Sequence, residues 1–201
     1  MIQYGLRIGI VAAAASLSAC GLWWFHDDIR DGDLGGTVTV NWTREDLFIY
    51  RPDDPLWFRP HFMNEHERIQ PTAMYTDGGS IPRFFWNIPG LSAWGFGPAF
   101  VIHDYIFKVH RCGWPDPIVA RITFEESATV LAEVGKALIA RKLIKHDALN
   151  AIVWGVRTQY ARDLWDKPGT EEAREYCERP SPGLTKGEAP VIRFRIPSVG
   201  R

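Results

Sequence analysis

The first marked pattern is an apolar run at residues 8–15, preceded by a single basic residue, Arg7. It is too short to cross a bilayer as a helix and has the length of a signal-peptide core. A polar stretch at 26–36, rich in Asp and Gly, then reads as a tether. The first two-residue period comes at Thr37-Val38-Thr39-Val40-Asn41-Trp42, β-branched and alternating, and predicts a half-buried strand with residues 46–50 as its partner. Residues 51–60 hold three prolines and read as loop, after which a second extended piece runs into a turn at Asp77. Residues 84–100 are dense in aromatics, glycine and proline, which predicts loop with short helical turns.

The period then changes to that of helices. Pro98 suits the first turn of a helix over 98–111, with Ile102, Ile106 and Val109 on one side. A second helix is predicted over 119–143, where Val119, Ala120, Phe124, Val130, Leu131, Val134, Ala137 and Leu138 share one face. A third, capped by Asp147, covers 148–165 with a stripe of Ala148, Leu149, Ile152, Val153, Val156 and Tyr160. Beyond Lys167 the chain is rich in Pro and Gly, with a last strand at 191–196. The fold class expected is α+β and mostly α: two or three antiparallel helices with a small N-terminal β-sheet.

The segment ahead of the tether adds a compartment. Leu17-Ser18-Ala19-Cys20 ends the apolar run and resembles the lipobox of bacterial lipoproteins. That resemblance implies cleavage after Ala19, a diacylated Cys20 at the mature N-terminus and, with Gly21 rather than Asp next, an outer-membrane address facing the periplasm. Trp23, Trp24 and Phe25 would then lie at headgroup level. The organisation expected is a signal peptide at 1–19, a lipid-anchored tether at 20–36, one globular domain at 37–166 and an extension at 167–201.

Of the three cysteines in the 201 residues, Cys112 and Cys177 remain once Cys20 carries lipid, and an oxidising compartment favours their pairing. The formal net charge of −1, with no Lys/Arg stripe, gives no reason to expect nucleic acid and leaves the membrane as the expected partner.

The candidate chemistry lies between Tyr75 and Arg111. Thr76-Asp77-Gly78-Gly79-Ser80-Ile81-Pro82 is a turn whose glycines let backbone approach a ligand, and His103-Asp104-Tyr105 sits on the first helix. Neighbouring helical residues point about 100° apart, so His103 and Asp104 can flank one site in different roles. Carboxylates and backbone carbonyls suit a hard cation, and a neutral imidazole can take a proton from water. A structural turn beside a satisfied helical pair would look the same in sequence. A zinc alternative draws on His61, His66 and His110, with His103 two turns from His110.

The strings T-D-G-G-S-I-P and F-V-I-H-D-Y-I-F resemble the bacterial and phage-associated family catalogued as domain of unknown function 1353. The layout is also similar to the bacterial and fungal secreted phospholipases A2. That second resemblance implies Asp77 and Asp104 as calcium ligands with backbone oxygen at Gly78, His103 as general base, and phospholipid as the ester hydrolysed. It also asks for a carboxylate on the next helix to orient His103. Glu125 lies on the polar side and Glu126 at the edge of the apolar face, which favours Glu126; aligning on Phe124 would put Arg121 there instead. Gly79 and Phe100 replace a disulfide of those lipases, and Phe107 replaces a bracing tyrosine. The function expected is calcium-dependent phospholipid ester hydrolysis, with a non-catalytic envelope or prophage lipoprotein as the alternative.

Overall fold

The computed structural model describes residues 29–44, 47–77, 95–144, 149–167, 177–180 and 192–198. In chain order they form strands β1 (Asp33–Gly35), β2 (Thr37–Arg44), β3 (Leu47–Arg51), β4 (Trp57–Arg59) and β5 (Met74–Thr76). Helices α1 (Gly97–Cys112), α2 (Phe124–Ala140), α3 (Leu149–Gly155) and α4 (Gln159–Asp166) follow, and then strand β6 (Ile192–Arg195). The class is mixed α+β.

The sheet is larger than a small N-terminal one. Four antiparallel strands lie in the order β5-β3-β2-β6, and β1 pairs with β4 in a separate ribbon. The β2–β3 pairing follows the alternating pattern, with Val40 opposite Tyr50 and a bulge near Trp42. β6 comes from the stretch expected as an extension and lies along Thr37–Val40. β2 is buried at Thr37, Thr39 and Asn41 as well as at Val38 and Val40, so over these residues the half-buried expectation gives way to burial on both faces. β1 comes from the stretch read as tether and β4 from the proline-rich loop, so neither reading holds there. Between β1 and β2, Gly36 has φ of +88°, and a Cβ there would meet the Pro55 carbonyl oxygen at 2.0 Å. Only glycine fits that crossing.

α1 is buried nearly all round, as a hydrophobic helix at the centre of a core must be. Pro98 lies in its first turn, and Gly113 ends it in the left-handed conformation. Two breaks correct the other predicted helices. Val119–Arg121 is a separate 3₁₀ turn, after which Thr123 starts α2 through a capping box with Glu126. The expected third helix divides at 156–158, because the Thr158 hydroxyl accepts from the Ala161 amide at 3.3 Å and begins α4. Asp147, its expected cap, lies outside the described residues.

Val38, Val40 and Tyr50 from the sheet share one core with Ile102 and Ile106 of α1, Leu131 and Leu138 of α2, and Trp165 of α4. Cys112 at the end of α1 is bonded to Cys177, with Cα atoms 5.4 Å apart. Among the described residues no helix is long and apolar enough to cross a membrane.

Candidate functional site

The end of β5 meets the middle of α1. Thr76 is the last residue of its strand, and its hydroxyl donates to Asp104 Oδ2 at 2.7 Å, across 28 positions of sequence. Asp77 follows directly and lies close enough for its charge to act on Asp104. The two carboxylates expected to share a site are therefore brought together. Gly78 lies outside the described residues, as does Cys20.

Burial, with Asp77 adding to it, pushes the Asp104 carboxyl up to about 7, against the Thr76 bond and the charge of Lys108. Lys108 was not among the expected site residues. One turn beyond Asp104 and only 1% exposed, it is held down to about 8 by burial, while Asp104 and Asp77 both pull its pKa up. Its Nζ lies 5.6 Å from the centre of the Trp114 ring. The i, i+4 spacing from Asp104 was the signal that could have found it.

His103 is 8% exposed, and burial alone pushes its pKa down to about 4, so it is neutral at pH 7. Its Nε2 has no hydrogen-bond partner among the described residues, and its ring lies 4.8 Å from that of Phe107. Among the described residues no carboxylate acts on it. Glu126, expected to orient it, instead accepts from the Thr123 amide at 2.8 Å and the Thr123 hydroxyl at 2.9 Å. That corrects the assignment: the first turn of a helix commits an N3 glutamate to its own cap. Glu125 is likewise taken, accepting from Arg162 at 2.8 Å.

The zinc alternative fares no better. Among the described residues no three His, Cys, Asp or Glu side chains are grouped to hold a metal. His110 is stacked on Trp165 with ring centres 3.9 Å apart, His66 is exposed beside Glu65, and His61 pairs with Glu133.

Calcium wants six to eight oxygen ligands. The described residues offer two carboxylates and a hydroxyl, with the Lys108 ammonium close enough for its charge to interact with those of Asp104 and Asp77. What these described residues do is link sheet to helix through the Thr76–Asp104 hydrogen bond, with the charge of Lys108 acting on Asp104. The Cys112–Cys177 pairing is present as expected. Compared with protein families, with curated proteins and with solved structures, the chain has no match.

Proposed function

We propose that the chain is a lipid-anchored bacterial envelope lipoprotein, of the phage-associated kind that its TDGGSIP and HDYIF strings resemble. In this reading its phospholipase-like centre is a binding or structural module and not a catalytic one. The observation that carries it is Lys108, buried one turn from Asp104 and near enough to Asp77 and Asp104 for both charges to raise its pKa, a positive charge supplied internally where a cation would otherwise bring one. The anchor rests on Leu17-Ser18-Ala19-Cys20 and the apolar run before it. Two signals strengthen such an anchor, here the acyl chains on Cys20 and the Trp23-Trp24-Phe25 cluster at the headgroups.

A second reading, phospholipase A2-like ester hydrolysis, draws on one specific observation. The neutral His103 has a buried, unpartnered Nε2 next to the paired carboxylates. In it a cation displaces Lys108, and His103 takes the proton of water.

The full chain in detergent micelles separates the two. The first reading expects no calcium heat above dilution, no fatty-acid release from mixed phospholipid micelles, and labelled palmitate incorporated in cells by wild type but not by Cys20→Ser. Saturable calcium binding lost in Asp104→Asn, together with release lost in His103→Asn, would establish the hydrolase instead.

A further inference from the structure

A second imidazole has what His103 lacks. Glu133 lies on α2 at 0% exposure, on the apolar face where Val130 and Ala137 also sit. A carboxylate there costs several kcal/mol unless it is hydrogen-bonded. Its Oε2 accepts from the backbone amide of His61 at 3.1 Å, and its Oε1 accepts from His61 Nδ1. Burial pushes the Glu133 carboxyl above the usual carboxylate range, and both bonds from His61 pull it back down.

The bond to Nδ1 fixes the tautomer. With Nδ1 donating to Glu133, the lone pair of the neutral ring is on Nε2, and the His61 side chain is 42% exposed. It lines a cleft of about 320 Å³ together with Asp31, Asp33, Arg59, Met63 and Glu65. A buried carboxylate, an imidazole held by it and an open cleft beyond make an acid–base pair with room for a substrate.

The lining limits what enters. Asp31, Asp33 and Glu65 are acidic, and Arg59 spends its charge on Asp33 while donating to the Glu65 carbonyl at 3.0 Å. The field therefore repels phosphates and carboxylates and favours neutral or cationic molecules. The remaining N–H donors of Arg59 can meet an oxyanion.

We infer that His61, positioned by Glu133, is the general base of a second site that hydrolyses neutral or cationic carboxylic esters, distinct from the Asp77–Asp104 centre. Water gives its proton to Nε2 as its oxygen bonds to the acyl carbon, and the carbonyl pair moves onto the oxygen. That pair returns as the bond to the alkoxide breaks, and the alkoxide takes the proton from Nε2, leaving acid and alcohol. Glu133 is a positioning residue and touches no reacting atom.

The probes are p-nitrophenyl acetate as the neutral ester, 3-(trimethylammonio)phenyl acetate as the cationic one and 3-acetoxybenzoate as the anionic one, each with the full chain in detergent. His61→Asn is expected to lower the rate on the neutral ester by roughly a hundredfold or more, toward the buffer background. His66→Asn, which changes an exposed neighbouring imidazole, leaves that rate unchanged. The charged groups around His61 are Asp31 and Asp33, Arg59, Glu65, and Glu133 on α2, where Lys136 donates to the Ile29 carbonyl. Glu133→Gln removes the carboxylate that holds Nδ1, so kcat on the neutral ester is expected to fall while KM stays unchanged. A purely structural glutamate would leave kcat in place. The catalytic assignment is overturned if His61→Asn keeps the wild-type rate, or if His66→Asn loses as much. The substrate class is overturned if the anionic ester is cleaved faster than the cationic one.

Discussion

His103 carries the clearest electrostatic consequence of any single residue. Its ordinary pKa of 6.5 falls to about 4 in the fold, because burial disfavours the charged ring. Between those values the unfolded chain binds a proton that the folded chain refuses, so this contribution to stability is complete above pH 6.5 and is lost as pH falls toward 4. The loss over that window is about 3 kcal/mol. Urea midpoints measured from pH 7 to pH 4 are expected to fall less steeply for His103→Leu than for wild type. Asp104 runs the other way: its pKa rises from 3.8 to about 7, so its contribution falls as pH climbs through that range and the carboxylate must ionise in the core. Lys108 answers that charge. Lys108→Met is expected to lower stability by about 1 kcal/mol at pH 7.5, where losing the ammonium makes Asp104 harder to ionise, and by much less at pH 5, where Asp104 keeps its proton. Denaturant midpoints at the two pH values check both the size and the contrast.

Legibility at the level of elements followed the strength of the local signal. α1 was legible because Pro98, an apolar stripe and Gly113 all mark the same helix, and β2 because its alternation is unbroken over six residues. The breaks at Thr123 and Thr158 were not, since a threonine inside an apolar period becomes a cap only when its side chain turns onto the backbone ahead of it. β1 and β4 carry three residues each, too few for a period to show, and exist through each other. Within the site, the meeting of Asp77 and Asp104 was foreseen from their spacing and from a family layout. Glu126 was misassigned because the same position serves a capping box, and Glu133 was passed over although a charge amid an apolar stripe asks for a buried partner. At the far end of α1, the Cys112–Cys177 bond closes a separation of 65 residues. Replacing both cysteines by serine is expected to lower stability by about 4 kcal/mol, the loop-closure entropy returned to the unfolded chain, read as the shift in urea midpoint.

For the whole molecule, the two candidate centres lie on different seams of one core. One joins β5 to α1 through Thr76 and Asp104; the other joins the segment after β4 to α2 through His61 and Glu133. Both fix a helix to the strand region by a carboxylate, half-buried in Asp104 and fully buried in Glu133, and what separates them is access: Lys108 and His103 are closed in, while His61 opens on a cleft.

The pairing of β6 with β2 also has a consequence in time. β2 is the longest of the described strands, and its partner along Thr37–Val40 is the last of them to leave the ribosome, more than 150 residues later. Until then β2 presents an unpaired row of amides and carbonyls, open to any other extended chain. A nascent or C-terminally clipped chain therefore carries a sticky edge that the finished molecule hides, and keeping such chains apart during synthesis protects them until their own last strand arrives.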